Sequence, residues 1–451
     1  MLLSHNMNYQ QAENFLLSLS NLPRKEHTAN LQSRKNALKR MRKFLDLLGN
    51  PENKIPHIIH IAGTSGKGST ATYLSYILSA NGQKTGLMIS PHIMHLTERW
   101  QINNQPISQT NFVKIMEKIK IALNKYIAEE KTDPPSHPEV LAAIGFLYFA
   151  EEKVDWAVVE VGLGGRFDAT NTLPKKDAAV ITSIGLDHTD ILGNTKEKIA
   201  FEKAGIILPQ GRVFTCEQNK KVLSVIKKVC QQKKTQLHIS QPNFEIIKQN
   251  TVSNIFQYKK IIYSIKSIGE HQIKNACFCI DIAQSIQIPE KNIKLGLARA
   301  IQPLRMELSS QNPYIILDGA HNPDKMKTTI EATKQLLQTE QCESIHLVIG
   351  FSADKNWKSM VKKLLTLNPA SINCTRNTVN PFRKTVNPKE IAKYCQKMIE
   401  KQTCNIKIFL DPKDAFISAR TILQKHDILL VTGSIFLGGE LRSIDKKIKK
   451  R

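Results

Sequence analysis

No CxxC pair occurs among the eight cysteines, which are scattered at positions 216, 230, 277, 279, 342, 374, 395 and 404. They read as reduced thiols of a cytoplasmic protein rather than as a disulfide framework. No uninterrupted apolar run is long enough to span a membrane; Ala142 to Ala150 is among the longest, and it ends at Glu151-Glu152-Lys153. Met1-Leu2-Leu3-Ser4-His5-Asn6 lacks the charged start and apolar core of a signal peptide. There is no low-complexity block and no short-period repeat, which excludes solenoid and disordered classes. Net charge is +25, yet no nucleic-acid-binding motif accompanies it. The lysines are spread along the chain, with one short cluster at Lys446-Lys447-Ile448-Lys449-Lys450-Arg451. A solvated basic surface and a disordered tail are expected, and nucleic acid and membrane partners are not.

What remains is 451 residues of globular composition, 41% apolar and 23% charged, enough for two or three domains. Residues 8–50 read as helical and stop near Leu48-Gly49-Asn50-Pro51. Continuous apolar runs at 57–62, 85–89, 155–161 and 178–184 predict buried parallel strands. Helical patterns at 110–130 and 138–151 lie between them, short β-like pieces occupy 212–215, 236–239 and 260–265, and a helix follows at 271–286. A second alternation places strands at 314–317, 345–350, 407–410 and 427–431. The expected fold is α/β: a P-loop-type ATPase domain at 1–303 with a mostly parallel sheet, then a smaller Rossmann-like domain at 304–451.

The motifs fall at strand ends, where doubly wound sheets bind ligands. Ile58 to Ala62 runs into Gly63-Thr64-Ser65-Gly66-Lys67-Gly68-Ser69-Thr70, and a helical pattern follows. Strand, glycine turn and helix cradle a phosphate with backbone N–H groups, a helix N-terminus and one lysine. Ile61 stands where the strict Walker pattern has glycine, so the loop is a variant. Glu160 closes an apolar strand and leads into Gly162-Leu163-Gly164-Gly165-Arg166-Phe167-Asp168, which points to a metal ligand beside a substrate loop. His188, in Asp187-His188-Thr189, is expected to end a neighbouring strand and, with Glu160, to offer an oxygen/imidazole cation site. Lys203, flanked by Ala204 to Leu208, reads as enclosed and open to modification. Ser90-Pro91-His92 closes another strand of the same edge. Beyond the hinge near Pro303, Arg305, Asp318-Gly319-Ala320-His321 and Gly433-Ser434 form a second set.

In these segments and their order the chain resembles the folylpolyglutamate synthase/dihydrofolate synthase family of the Mur ligase superfamily. The match runs from about residue 8 to 440, and Glu160–Asn171 beside Lys203-Ala204-Gly205-Ile206 is its most specific part. The resemblance implies ligation of L-glutamate to a folate-type carboxylate through an acyl phosphate, with ATP and two Mg²⁺ sites. By resemblance, Gly63 to Ser69, Asn275, Arg305 and Asp318 contact ATP. Ser69, Ser90, Glu160, His188 and a carbamylated Lys203 ligate Mg²⁺. Ser136, His137, Pro138, Glu139, Arg166, Phe167 and Asp168 meet the acyl substrate, and His321 and Ser434 line the glutamate site. Lys67, Lys203 and His321 are the expected catalytic residues, small molecules the expected partners, and a monomer the expected state.

Three departures stand out. The family usually has Asn where Ser65 stands, Phe-Glu where this chain has His137-Pro138-Glu139, and Gly-Leu-Glu-Arg where it has Ala37-Leu38-Lys39-Arg40. The last two segments lie where the family binds the pteroate end. Folate extension, dihydrofolate synthesis, both, or ligation of a related carboxylate remain open at this point. A Mur-type ligase with a different acid is the alternative enzyme, and a basic nucleic-acid binder the alternative outside enzymes.

Overall fold

The computed structural model describes residues 7–21, 31–130, 133–250, 253–379, 384–399 and 404–448. The chain divides into two compact units, residues 1–242 with 275–297, and residues 243–274 with 298–451. This division differs from a single cut at 303/304 in assigning 243–274 and 298–303 to the second unit.

The first unit is built on an eight-stranded sheet: β1 (His57–Ala62), β2 (Thr85–Met88), β3 (Trp100–Ile102), β4 (Gln105–Pro106), β5 (Trp156–Glu160), β6 (Ala178–Ile181), β7 (Arg212–Thr215) and β8 (Gln236–Ile239). Their order is β4-β3-β2-β5-β1-β6-β7-β8, so β1 lies between β5 and β6, and the strands before Glu160 and His188 are not the neighbours expected from the sequence. All pairings are parallel except those of β3 with β2 and with β4. The central strands are mostly apolar and buried, with His60 and Glu160 the buried polar exceptions in β1 and β5; β5 and β6 expose almost nothing. The helix Lys67–Ala80 follows β1. Its Leu74, Ile77 and Leu78 are fully buried, each stabilising by about 2 kcal/mol. Because β2, β5, β1 and β6 run parallel, the segments after Met88, Glu160, Ala62 and Ile181 all leave the same edge of the sheet.

The second unit holds two sheets. β9 (Phe244–Gln249), β10 (Asn254–Tyr258) and β11 (Ile261–Ile265) form a small antiparallel sheet. β12 (Glu307–Gln311), β13 (Tyr314–Leu317), β14 (Ile345–Ile349), β15 (Ser371–Cys374), β16 (Asn405–Ile408) and β17 (Ile428–Thr432) form the other, in the order β12-β13-β17-β14-β15-β16. Only β12 runs antiparallel in it.

The helical start resolves into Tyr9–Ser18 and Leu31–Leu47. Residues 22–30 of that expected stretch lie outside the described residues. The terminal basic cluster is partly helical, since the helix Ile435–Ile448 runs through Lys446; the expected tail at Lys449 to Arg451 lies outside the described residues. All eight cysteines are free of disulfides. Among the described residues no helix is long and apolar enough to cross a membrane.

Candidate active site

The loop after β1 is tied down from one side. The N–H groups of Thr64 and Ser65 both donate to Ser183 O, at 2.9 and 3.4 Å, and Thr64 Oγ1 donates to Gly185 O at 3.1 Å. Those two amides hold the loop against the end of β6. Gly66 caps the helix Lys67–Ala80 with φ 89°, a left-handed backbone that favours glycine. A phosphate is therefore left the first-turn amides, Gly66 to Ser69, which have no intrahelical acceptor. Ser69 is 4% exposed. Asn275, on the helix Glu270–Ser285, puts Oδ1 3.0 Å from where a Cβ on Gly66 would stand.

Lys67 turns back over the loop. Its Nζ donates to Gly63 O at 3.1 Å and lies 3.8 Å from Glu160 Oε1. The other carboxylate oxygen of Glu160 accepts the backbone N–H of Ser90 at 3.0 Å. Lys67, Glu160 and Ser90 thus meet where β1, β5 and β2 end. Lys203 is at the end of the helix Lys196–Ala204 and is 5% exposed. Its Nζ makes no hydrogen bond or ion pair among the described residues. Burial, then the neighbouring Lys67 charge, push its ammonium down to about 7, against Asp187, Asp168 and Glu160.

His188 takes a left-handed backbone (φ 50°) before the short helix Thr189–Leu192, and its Nε2 lies 3.9 Å from Asp187 Oδ1. Among the described residues, no three or more His, Cys, Asp or Glu side chains are gathered so as to hold a metal. Mg²⁺ asks for less, one or two carboxylates with the rest from water and phosphate. The buried, hard oxygens of Glu160 beside the phosphate loop fit that demand.

The glycine-rich loop after β5 is closed by Asp168. Its Oδ2 accepts from Leu163 N at 2.9 Å, and its Oδ1 accepts from Thr170 N and Thr170 Oγ1 at 3.0 and 2.5 Å. The Arg166 guanidinium lies 4.3 Å over the Phe201 ring and 5.8 Å from that of Phe167. Asp168 is therefore a holder of the loop, and Arg166 and Phe167 are its half-buried outward groups.

Ser136 to Glu139 begin the helix His137–Glu151. Glu139, 3% exposed, takes four donors on Oε2: Arg40 Nε and Nη2 at 3.0 and 2.8 Å, Ser136 N and Oγ at 2.5 and 2.6 Å. Pro138 is exposed and His137 half-buried, with a buried Nε2 that has no hydrogen-bond partner among the described residues. Burial, helped by Arg99, lowers His137 to about 4. Arg99 Nε donates to His92 Nδ1 at 3.0 Å, and burial, then Arg99, lower His92 to about 3. Both imidazoles stay neutral. The Arg99–His92 pair carried no local sequence signal, because it joins a strand end to a turn seven residues on.

In the second unit, Asp318 ends β13 and spends its carboxylate on the chain: Oδ2 accepts from Met306 N, Oδ1 from Ala320 N and Thr329 Oγ1. Arg305 donates to Leu304 O at 3.2 Å. His321 donates Nδ1–H to Gly319 O at 2.8 Å and accepts the Lys325 ammonium at Nε2 at 3.1 Å. Burial, then Lys325, hold it well below its usual pKa, so both ring nitrogens are engaged on a neutral ring. Ser434 follows β17, is 2% exposed, and accepts the Phe436 N–H at 3.2 Å.

Residues 61–283 match the Mur ligase middle domain, and residues 304–435 the Mur ligase glutamate ligase domain. The chain is 32% identical over 422 residues to the dihydrofolate synthase/folylpolyglutamate synthase of Bacillus subtilis, covering 90% of this chain and 94% of that protein. It is 33% identical over 431 residues to the dihydrofolate synthetase of Saccharomyces cerevisiae, covering 90% and 97%. Its fold matches Mycobacterium tuberculosis folylpolyglutamate synthase complexed with ADP, with TM-score 0.85, 26% identity and coverage of 97% and 98%. It also matches E. coli FolC in complex with DHPP and ADP, with TM-score 0.83, 26% identity and coverage of 98% and 100%.

Proposed function

The chain belongs to the folylpolyglutamate synthase/dihydrofolate synthase family of Mur ligases, and from that premise we propose that it joins L-glutamate to a folate-type carboxylate at the expense of ATP. The observation that supports this most is the meeting of Lys67, Glu160 and Ser90 at the phosphate loop, with the buried amine of Lys203 within electrostatic reach.

The reaction needs a carboxylate made electrophilic. The γ-phosphoryl of ATP passes to a carboxylate oxygen, releasing ADP and leaving an acyl phosphate. The neutral α-amine of glutamate attacks the acyl carbon, the C–O bond to phosphate breaks, and the amine proton is lost. The first-turn amides of Lys67–Ala80 and the Lys67 ammonium neutralise the triphosphate. Glu160, with Ser69, Ser90 and His188, is the set that would hold Mg²⁺, whose bound charge offsets that of the transferring phosphoryl. Lys203 is the third basic feature there. A neutral lysine adds to CO₂, forming an N–C bond and losing a proton. The product is a carbamate, whose negative charge removes the clash with Lys67. Burial raises the neutral, nucleophilic fraction of the amine that this addition needs.

Asn275, Arg305 and Asp318 are assigned to the nucleotide, with Asp318 acting by fixing Met306 and Ala320. His321 and Ser434 are assigned to glutamate, with His321 as a neutral, oriented ring. Arg166 and Phe167, with His137, are assigned to the acyl substrate. Dihydropteroate and tetrahydrofolate are both within this proposal, as are a cytoplasmic setting and a monomeric state.

A substrate screen tests it. ADP release is expected only with L-glutamate plus dihydropteroate or a tetrahydrofolate. Full turnover without either pterin, or equal turnover with neutral amino acids, would overturn the substrate assignment.

A further inference from the structure

Lys176 follows the glycine-rich loop in Pro174-Lys175-Lys176-Asp177, and nothing in that sequence separates it from a surface charge. Its neighbour Lys175 is exposed, whereas Lys176 is 8% exposed. A buried ammonium is costly unless its donors are matched. Two of its three N–H groups are: Nζ donates to Asn171 Oδ1 at 2.6 Å and to Ile206 O at 2.7 Å. Asn171 in turn spends both amide hydrogens, on Arg166 O at 3.0 Å and Gly205 O at 3.1 Å. Arg166 N donates to Glu202 O at 2.8 Å. The two segments approach so closely that a Cβ on Gly205 would stand 2.3 Å from Arg166 Cβ.

These bonds span two pieces of chain that the sheet alone does not fix to each other. One is the loop 162–171, carrying Arg166, Phe167 and Asp168. The other is the helix end and turn 202–206, carrying Lys203. Backbone carbonyls on both sides are satisfied through a single ammonium–amide pair.

We propose that Lys176, through Asn171, is a positioning residue that sets the Arg166 loop and the Lys203 turn in register, so that acyl carboxylate and activating group meet. This rests on the assignment of those two segments to the acyl substrate and to phosphoryl activation. Burial lowers Lys176 to about 7, opposed by Asp168. An amine keeps two N–H bonds in either form, so both acceptors stay served across neutral pH.

The test uses the full-length protein and steady-state kinetics with varied dihydropteroate, ATP and glutamate. Lys176→Met is expected to raise KM for dihydropteroate about tenfold or more and to lower kcat, with KM for ATP within twofold of the parent. Asn171→Ala breaks the same link from its other side and covers the case in which the first variant does not fold. It is expected to give the same split, and the double variant no further loss. Amide hydrogen exchange, read without substrate, is expected to quicken in 162–171. Parent-like KM and kcat in folded variants, whatever their melting temperatures, would overturn the proposal. So would a rise in KM for ATP equal to that for dihydropteroate. A parent enzyme inactive on every folate substrate would instead sink the functional assignment, and exchange alone would then decide whether the link holds the loop.

Discussion

Lys67→Ala is expected to lower ATP turnover about a thousandfold, the upper range for removing one preorganised charge from a phosphoryl-transfer site. Lys67 is the side chain that closes over the loop and faces Glu160 at 3.8 Å. In the proposed complex the β- and γ-phosphates would then lose the lysine charge, and Glu160, 6% exposed, loses the cation that faces it. The fold does not depend on it, because the loop is held by Thr64, Ser65 and Ser183. ADP release beside a thermal melt separates the two effects; parent-level turnover in the variant would refute the role given to this lysine.

The second large effect is at Lys203. Lys203→Ala is expected to cost about a hundredfold or more in kcat, and small carboxylates such as formate or acetate to restore part of it. The alanine cavity leaves room for them, and they carry the charge that the proposed carbamate would supply. Loss without rescue by any small carboxylate would mean that the amine acts as such. Stability gives an independent reading. The folded pKa is about 7 against the usual 10.5 for lysine, so between those values the unfolded chain binds the extra proton. The penalty on folding is therefore complete below pH 7 and fades as pH rises towards 10.5. In CO₂-depleted buffer, Lys203→Met is expected to melt above the parent at pH 6, with the difference closing by pH 10.

The parallel strands were legible because burial on both faces demands continuous apolar runs. β1 and β13 fall on the strands expected at 57–62 and 314–317, and β7 and β8 on the short β-like pieces at 212–215 and 236–239, while β16 and β17 are displaced by one or two residues. β15 was not legible: Ser371 and Asn373 alternate with Ile372 and Cys374, and their polar groups are satisfied by His346 and Ala415, far along the chain. The β3–β4 hairpin was missed too, although Asn103 and Asn104, both at positive φ, carry its turn signal. In the site, the phosphate loop and Glu160 stood out because glycines and a carboxylate contradict an apolar strand. Lys176 did not, and Arg40 stood out only within the departure at Ala37-Leu38-Lys39-Arg40. Their meaning comes from partners such as Ile206 and Glu139, which only the fold brings near. That Asp318 folds its own loop, by accepting from Met306 N and Ala320 N, was not legible.

The central claim is that the acid is activated as an acyl phosphate before glutamate attacks. Dihydropteroate labelled with ¹⁸O in both carboxylate oxygens reads this directly. The account predicts one ¹⁸O in inorganic phosphate for each amide formed, with ADP as the other product. Amide formation with unlabelled phosphate, or with AMP released, would contradict it.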